Sequence, residues 1–349
     1  MMEALYVLEP GCYIRKDGDS LRVVKGSVTV KRIPAQGLRR LMLVGYVSLS
    51  GAVLDFLIRR RIETVFITPT GRYRARLLLN EHRHVALRKA QYLQLSRKED
   101  ALRAARSIVR AKAANMHRLL LLRARQHDDN EIRVAAARLK TALAGIDRAG
   151  DMESLRGHEG LSTRIYYQVF GHLIRNDAFS FNGRNRRPPL DPVNALLSFV
   201  YTLLTNEVLS AINVCGLDPY MGSLHEISYG RPSLACDLVE EYRAFLGDRL
   251  VLALINRRMI GVHDFIYRQP VPKTFVDETE MKQKRPVEMK PAVCRTFIAS
   301  YEEMMARKIT DPHSGQQTAY RFLILNQVRR FAESLENPAA PYIPFEWKG

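Results

Sequence analysis

The chain has 349 residues, 46% of them hydrophobic, which provides enough apolar residues for a full core and argues against general disorder. Its formal net charge is +18, from 54 Lys and Arg residues against 36 Asp and Glu residues, and such a basic surface favours nucleic acid over an anionic membrane as the partner. The four cysteines have no paired spacing, and no apolar run approaches the ~20 residues of a transmembrane helix, so the composition argues against a zinc ribbon, a disulfide framework and a membrane protein, and predicts a soluble, cytoplasmic protein.

The first ~75 residues have the β-branched and apolar composition of a strand-rich region. Asp17-Gly18 separates two such runs and supplies the positive φ of a tight hairpin turn. Ser50 is placed to cap a short helix that runs through Arg61 with one apolar face. Strands are predicted at residues 13–15, 21–24, 27–33, 44–49 and 64–68, before Pro69-Thr70-Gly71 breaks the pattern.

From about Glu81 to Ala149 the apolar residues recur at helical spacing, which predicts a helical region. Cations cover the other faces of these helices: Arg88, Lys89, Arg97, Lys98, Arg103, Arg106, Arg110 and Lys112. Any one of them is interpreted most simply as part of a solvated surface. Because few acids offset them, the group predicts part of a nucleic-acid footprint.

A basic, proline-rich loop follows at residues 183–192. Asp191 can cap, and Pro192 can begin, the apolar helix predicted for Val193 to Leu209. The polar, proline-punctuated stretch from Thr274 to Pro291 is predicted to be a mobile loop. A last helix is predicted from about Ala319 to Leu335.

Three segments place a carboxylate or an imidazole beside glycine or apolar residues. They are Arg156-Gly157-His158-Glu159-Gly160, Gly222-Ser223-Leu224-His225-Glu226 and Leu234-Ala235-Cys236-Asp237-Leu238-Val239-Glu240-Glu241. Acids and a histidine held in apolar segments of a strongly basic chain indicate a divalent metal placed against a polyanion. Phosphodiester chemistry requires that combination, because a metal neutralises the transferring phosphate and activates the attacking oxygen.

The spacing predicts the local structure around these candidates. Asp237, Glu240 and Glu241 can share one face of a helix that begins near Ser233. His225 is expected to project from a tight turn, and Glu159 from a sharp bend between two glycines. Mixed oxygen and nitrogen ligands suit Mn²⁺ well and Mg²⁺ acceptably. Each signal alone is weak, since a histidine near a turn and a pair of acids on a helix are more often solvated surface.

The same segments resemble the CRISPR adaptation integrases, metal-dependent DNA endonucleases that insert new spacers. The resemblance spans nearly the whole chain and rests on motifs in the family's order and spacing. They are the Arg-Gly-x-Glu-Gly signature at 156–160, the arginine-proline loop and helix at 186–199, the histidine motif at 216–225 and the acidic helix at 234–240. The region from Arg268 to Lys290 departs from the usual members, while the tail at 341–347 is similar to type I-C tails.

The resemblance implies an α+β fold, in which residues 1–78 form a β-rich dimerisation domain and residues 79–349 an all-α catalytic domain. It implies that Glu159, His225 and Glu240 bind Mg²⁺ or Mn²⁺, with Asp237 as a nearby supporting acid of the catalytic group. It also implies a homodimer, two copies of which flank a dimer of the small adaptation partner protein in a heterohexamer that holds double-stranded DNA, with no membrane involved.

Two other functions remain open from the residues. One is a structure-selective nuclease that cuts branched DNA with the same site, and the other is a non-catalytic nucleic-acid scaffold whose acids only satisfy neighbouring arginines. Further DNA contacts are predicted at Arg184, Arg186 and Arg187, for which salt bridges within the helical domain are the alternative. Tyr166, together with Tyr167, could bracket a DNA end, and core packing is the alternative for both.

Overall fold

The structure is a computed structural model and describes residues 4–9, 11–68, 73–77, 84–126, 128–185, 189–267, 287–337 and 339–348. The chain forms two compact units. Unit 1 comprises Met1–Glu81, Arg187–Thr202 and His263–Ala299, and unit 2 comprises His82–Arg186, Leu203–Val262 and Ser300–Gly349. The domain division at 1–78 and 79–349, and the dimerisation role of the first part, stay predictions.

Unit 1 begins with the strand-rich region. Its elements are β1 (Ala4–Val7), β2 (Tyr13–Asp17), β3 (Ser20–Lys25), β4 (Val28–Pro34), β5 (Arg40–Val44), β6 (Ser48–Leu49), α1 (Gly51–Arg59), β7 (Glu63–Ile67) and β8 (Tyr73–Leu77). They form two four-stranded sheets, with the orders β1-β5-β7-β8 and β4-β3-β2-β6. Parallel pairing joins β1, β5 and β7 in the first sheet and β2 with β6 in the second, and the other pairs are antiparallel.

The hairpin predicted at Asp17-Gly18 and a helix capped by Ser50 are both present, but α1 ends at Arg59 instead of Arg61, because Arg61 has a positive φ of 52°. Asp17 pairs with Ser20 across the turn between β2 and β3, and Gly18 has a φ of 57°. Ser50 caps α1 by accepting a hydrogen bond from the Val53 amide at 3.4 Å. The strand predicted at residues 44–49 is wrong, because Gly45, with a φ of 84°, ends β5 and turns the chain before β6.

Both sheets of unit 1 contribute side chains to one hydrophobic core. Alternate residues of the strands point inward, as the period-2 pattern of a half-buried strand requires. Together with the apolar face of α1 they form one buried cluster that includes Leu5, Val7, Ile14, Leu21, Val23, Leu41, Leu43, Val53, Phe56 and Leu57.

Helices dominate the described residues after residue 84. They are α2 (Val85–Leu95), α3 (Lys98–Gln126), α4 (Asn130–Arg148), α5 (Met152–Gln168), α6 (Pro192–Cys215), α7 (Ser233–Leu238), α8 (Glu240–Tyr242), α9 (Arg249–Asn256), α10 (Pro291–Ala306) and α11 (Tyr320–Glu336). A π-helical turn at Arg243–Asp248 connects α8 to α9. The first parts of α6 and α10 belong to unit 1 and the second parts to unit 2.

The predicted α+β fold class is confirmed, with a strand-rich N-terminal region followed by a helical one. The helical region also contains two short antiparallel strand pairs that the sequence did not predict. They pair β9 (Phe265–Tyr267) with β10 (Val287–Met289), and β11 (Lys308–Thr310) with β12 (Gln317–Ala319). Most of the predicted loop from Thr274 to Pro291 lies outside the described residues.

The predicted start of α6 is confirmed, since Asp191 Oδ1 accepts a hydrogen bond from the Asn194 amide at 2.8 Å. Among the described residues, α6 is long and apolar enough to satisfy the criteria for a membrane span, with a mean hydropathy of 1.5. The α6 segment is therefore longer and more apolar than expected from the sequence, for which no apolar run near the length of a transmembrane helix was predicted. Because 78% of the apolar window is buried inside the protein, the feature is also what a core helix would show, and it is a weak argument for a membrane.

The 29-residue helix α3 is the centre of unit 2 and packs on α2, α4, α5, α8 and the π-helical turn. One buried apolar cluster joins α3, α4 and α5 to the loop that precedes α7: Ala105, Val109, Ala113, Ile146, Ala149, Leu155 and Leu224. This packing positions the elements that carry the candidate site.

Asp151 caps α5, since its Oδ1 accepts a hydrogen bond from the Ser154 amide at 2.8 Å. We expect Asp151→Ala to lower the free energy of unfolding by about 1 kcal/mol, because one N-terminal amide of the helix loses its acceptor. Chemical denaturation followed by circular dichroism measures this. The control is Asp128→Ala, an exposed acid outside any helix, and equal losses in the two variants would contradict the capping role.

Candidate active site

Glu159 lies in the middle of α5, and its side chain is 27% exposed. Its Oε1 accepts hydrogen bonds from Thr163 Oγ1 at 3.1 Å and from Lys112 Nζ. The predicted bend is wrong, because Gly157 and Gly160 are regular residues of the helix. A Cβ at either glycine would have no neighbour within 4 Å, so the helix surface beside Glu159 is bare.

Lys112 lies on α3 and connects Glu159 to Glu240. Its ammonium contacts Glu159 Oε1 and lies 2.8 Å from Glu240 Oε2, and its side chain is only 5% exposed. The interpretation of Lys112 as part of a solvated or DNA-binding surface is therefore wrong. The physical reason is that this face of α3 packs on α5 and α8, where an ammonium is tolerated only beside anionic partners.

Glu240 begins α8 and is almost completely buried. Arg243 Nη1 lies 2.9 Å from its Oε1. Burial acts to raise the pKa of this carboxyl, but Arg243 and Lys112, with a smaller effect of His225, outweigh it and lower the pKa to about 2. Glu240 is therefore ionised at neutral pH. Its Oε2 makes no well-aligned hydrogen bond to the described residues, so its short approach to Lys112 is an ionic contact.

His225 is held by Asp237, which lies on α7 and is completely buried. Asp237 Oδ1 lies 2.6 Å from His225 Nδ1 and also accepts the His225 backbone N–H at 3.1 Å. A carboxylate only accepts, so Nδ1 carries the proton and Nε2 is left as the nitrogen that can bind a ligand. This is the arrangement by which a carboxylate orients a metal-binding histidine.

Asp237 also folds the loop that carries His225. Its Oδ2 accepts the backbone N–H groups of Ser223 at 2.6 Å and Leu224 at 2.9 Å. Gly222 is required here, because a Cβ would lie 2.6 Å from Asp237 Oδ2 and 2.8 Å from the carbonyl carbon of Ser233. The glycine of this motif therefore permits the close approach of the loop to α7.

Arg156 fastens the same loop to α5, one helical turn before Glu159. Its Nε and Nη2 donate to the Leu224 carbonyl at 3.2 and 2.9 Å, and its Nη1 donates to Glu226 at 2.7 Å. The arginine of the first motif thus sets the position of the histidine of the second.

The prediction that Asp237, Glu240 and Glu241 share one helical face is wrong. The helix that begins at Ser233, as predicted, ends at Leu238, and a new turn starts at Glu240 before the π-helical turn. The three carboxylates therefore reach three different places: the histidine loop, the Lys112 ammonium and the C-terminal segment.

Glu241 anchors the C-terminal segment. Its Oε1 accepts the Tyr342 hydroxyl at 2.6 Å, and its Oε2 accepts the Phe345 amide at 2.8 Å. Asn115 of α3 donates to the Phe345 carbonyl at 3.1 Å and accepts the Trp347 amide at 2.8 Å. Complete burial raises the pKa of Glu241 to about 8, although the hydrogen bonds from Tyr342 and Phe345 act to lower it.

Two of the predicted DNA contacts, Arg184 and Tyr166, are among the described residues. Arg184 is partly buried and donates to the carbonyl of its neighbour Asn185, while Arg186 and Arg187 lie outside the described residues. Tyr166 is completely buried, and its hydroxyl donates to Asp248 Oδ2 at 2.7 Å. This corresponds to the packing alternative and is incompatible with a contact between Tyr166 and a DNA end.

The donor chemistry fits a divalent cation. Glu159 and Glu240 converge on one cationic group, and His225 lies on the loop that Arg156 fastens to α5. Two carboxylates and one imidazole suit Mn²⁺ and, less well, Mg²⁺. As arranged, the described part of the chain contains no group of three His, Cys, Asp or Glu side chains close enough to hold one ion.

Sequence reasoning missed Lys112, Arg156 and Arg243 as residues of the site. Arg156 lies inside the first of the three motifs, and Arg243 follows Glu240 at helical spacing, so both carried a signal. Nothing in the sequence distinguishes Lys112 from the other cations of its helix.

Comparison with known proteins gives one consistent family. The family described as CRISPR associated protein Cas1 matches residues 5–284. The chain is 34% identical to "CRISPR-associated endonuclease Cas1 1" of Chlorobaculum tepidum, with 99% of each chain covered. It is 35% identical to "CRISPR-associated endonuclease Cas1 3" of Thermus thermophilus, with 98% of this chain and 96% of the relative covered.

Solved structures have the same fold. A Cas1 protein from Thermotoga maritima has a TM-score of 0.79 at 25% identity and covers 99% of this chain and 100% of its own. A "Casposase bound to integration product" has a TM-score of 0.83 at 22% identity, covering 99% of this chain and 95% of its own. A chain of a "Cas6-RT-Cas1--Cas2 complex" has a TM-score of 0.83 at 22% identity and covers 100% of this chain and 36% of its own.

Asp237→Asn should lower the free energy of unfolding by roughly 2–4 kcal/mol in EDTA, because an amide cannot accept all the buried donors that converge on this carboxylate. Chemical denaturation measures the loss. The matched control is Asp177→Asn, an exposed aspartate of the same unit, which should change stability by less than about 0.5 kcal/mol. A similar small effect at Asp237 would contradict its structural role.

Glu241→Gln should change how stability depends on pH. In the folded protein the pKa of Glu241 is about 8 and its ordinary value is 4.5, so the folded state binds the extra proton between these values. The stability that Glu241 contributes is therefore complete below about pH 4.5 and is lost as the pH rises through about 8, by a few kcal/mol at most. The glutamine variant, which mimics the protonated acid, should lack this decline.

Denaturation of both proteins at several pH values from 4.5 to 9 checks this difference. Glu336→Gln, an exposed acid at the end of α11, is the control and should keep the wild-type slope. Parallel profiles for wild type and Glu241→Gln would show that Glu241 does not titrate in this range.

Proposed function

This chain belongs to the family of the CRISPR-associated protein Cas1, and we propose on that premise that it is a divalent-metal-dependent DNA endonuclease and integrase. Its reaction is the insertion of spacer DNA fragments into a CRISPR repeat array. Full-length relatives named as Cas1 endonucleases support the endonuclease activity. The casposase of the same fold, bound to its integration product, supports strand joining.

The observation that carries the proposal is the convergence of Glu159 and Glu240 on one cationic position, together with a histidine of fixed tautomer on the loop that Arg156 fastens to α5. Glu159, His225 and Glu240 would hold Mg²⁺ or Mn²⁺ there, and Asp237 would position His225. When bound, the metal would neutralise charge on the target phosphate and activate the attacking oxygen.

The side chains of the protein prepare this reaction. Glu240 keeps its negative charge at neutral pH, because Arg243 and Lys112 lower its pKa. Asp237 holds the proton on His225 Nδ1 and so leaves Nε2 as the nitrogen that would bind a ligand. The 3′-hydroxyl of the incoming fragment then attacks a phosphodiester of the repeat, forming one phosphodiester as another breaks. This transesterification requires no covalent enzyme intermediate.

We propose partners from the charge of the chain and from its structural relatives. A formal charge of +18 supports double-stranded DNA, both spacer precursor and repeat, as the substrate. The structural relative in a complex of Cas1 with Cas2 supports a small adaptation partner protein. The proposed assembly is a homodimer within a heterohexamer, located in the cytoplasm. The type I-C assignment remains a prediction from the tail sequence.

One observation favours a second candidate, the non-catalytic DNA-binding scaffold. Glu240 is already neutralised by Arg243 and Lys112, as expected if the acids serve only to balance buried cations. A branched-DNA nuclease would use the same residues as the integrase, so the products of the reaction must separate those two.

Substitution of Glu159, His225 or Glu240 by Ala should reduce joined products by at least about a hundredfold, because each removes a metal-binding group. DNA affinity should be retained, since phosphate contacts come mainly from Arg and Lys. The assay mixes the full-length chain and its small partner protein with a blunt or 3′-overhang duplex, a repeat-containing plasmid and Mn²⁺, and resolves joined DNA on a gel. Fluorescence anisotropy measures affinity.

Glu153→Ala, an exposed acid of the first turn of α5, is the matched control and should keep activity. Unchanged metal-dependent processing in all three site variants would favour the scaffold. Cleavage of branched DNA without any joined product, even with the partner present, would favour the nuclease.

A further inference from the structure

The Lys112 side chain lies where a cation shared by Glu159 and Glu240 has to lie. It contacts one oxygen of each carboxylate, although it is carried by a third helix. A lysine that is only 5% exposed is uncommon, because burial removes the hydration of the ammonium. Packing of apolar groups therefore does not explain why the Lys112 ammonium is buried in unit 2.

The oxygen that Lys112 contacts on Glu240 is the one a metal would need. The other oxygen of Glu240 is held by Arg243 at 2.9 Å. Oε2 has no well-aligned hydrogen bond to the described residues and lies 2.8 Å from the Lys112 ammonium. Magnesium–oxygen distances are about 2.0–2.1 Å, so an ion bound between the same two oxygens would overlap the ammonium.

The charges lead to the same conclusion. Lys112 and Arg243 balance Glu159 and Glu240, so the four side chains together carry no net charge. Adding a divalent cation while Lys112 stays in place would give the group two excess positive charges in a largely buried site. Mutual repulsion of the metal and the ammonium at contact distance opposes that state.

We propose that Lys112 is a positioning residue that acts as an internal substitute for the metal. In the metal-free protein its ammonium holds the two carboxylates together, and metal binding requires it to withdraw. The metal affinity of the wild-type protein is therefore set partly by competition with its own side chain. This inference depends on the proposed metal site and adds a regulator of its occupancy.

The test is a Mn²⁺ titration of the full-length protein, followed by the EPR signal of free Mn²⁺, so that it does not depend on activity. Minor conformations are typically populated at ~0.1–10%, and a competent state of that population weakens binding in proportion. Lys112→Met should therefore bind Mn²⁺ at least about tenfold more tightly than wild type. Its melting temperature in EDTA should be lower than that of wild type, and saturating Mn²⁺ should raise it by more.

Two further variants separate competition from a general charge effect. Arg243→Met removes the same charge from the other oxygen of Glu240 without vacating the position between the carboxylates, so it should tighten binding by less than Lys112→Met. Lys140→Met removes an exposed charge on α4 and should leave binding unchanged. If Lys112→Met does not fold, Lys112→Gln is titrated under the same criterion.

Mn²⁺ affinity of the Lys112 variant that is equal to or weaker than wild type would overturn this inference while leaving the metal site intact. So would equal tightening by the Lys112 and Arg243 variants, since that would reduce the effect to net charge. If Glu159→Ala and Glu240→Ala bind Mn²⁺ as tightly as wild type does, the proposed metal site itself is wrong. That result differs from a failure of the Lys112 inference alone, so the two hypotheses are tested separately.

Discussion

A buried ammonium between two carboxylates is the interaction on which the candidate site depends. Glu159 and Glu240 come from helices far apart in the chain and would repel each other without a cation between them. Buried ion pairs contribute little net stability, because the desolvation of each charge offsets the attraction. We therefore interpret the cluster of Lys112, Glu159, Glu240 and Arg243 as preorganisation for a ligand. An apolar core at this place would make the protein more stable.

The backbone after Glu240 explains why the neighbouring residues Glu240 and Glu241 contact different parts of the protein. A π-helical turn at Arg243–Asp248 follows α8, and such turns are frequent at functional sites because they redirect side chains within a helix. The C-terminal segment packs over it, with the Phe345 ring centroid 4.9 Å from that of Phe245 and Arg249 over the Trp347 ring at 4.3 Å. The C-terminal segment therefore packs against the π-helical turn that follows Glu240 and stabilises it.

Local signals in the sequence were sufficient where the chemistry is local. The Asp191 cap, the Asp17-Gly18 hairpin and the helix starting at Ser233 follow from a few adjacent residues. Asp237 pairs with His225, and its supporting role at a metal site stays a prediction. The helical setting of Glu159 was missed because flanking glycines usually indicate turns, and tertiary packing overrode that preference.

The burial of a side chain and the direction in which it points depend on packing against distant parts of the chain, so they could not be predicted from adjacent residues. Lys112 has the same sequence surroundings as the exposed cations of its helix, and only the approach of α5 and α8 makes it internal. Nor does the spacing of the three acids at 237, 240 and 241 reveal that the helix is interrupted between them.

That interruption has a practical consequence for genetics. In a saturation screen scored by spacer acquisition, positions 237, 240 and 241 would all be intolerant and would look like one catalytic patch. In the structure, Asp237 holds the histidine loop, Glu240 contacts the Lys112 ammonium and Glu241 anchors the C-terminal segment. A parallel screen for intracellular abundance would still register all three positions, because a substitution at Glu240 leaves the buried Lys112 ammonium without one of its two carboxylates. Loss of acquisition at any one of them is therefore not by itself evidence of a catalytic role.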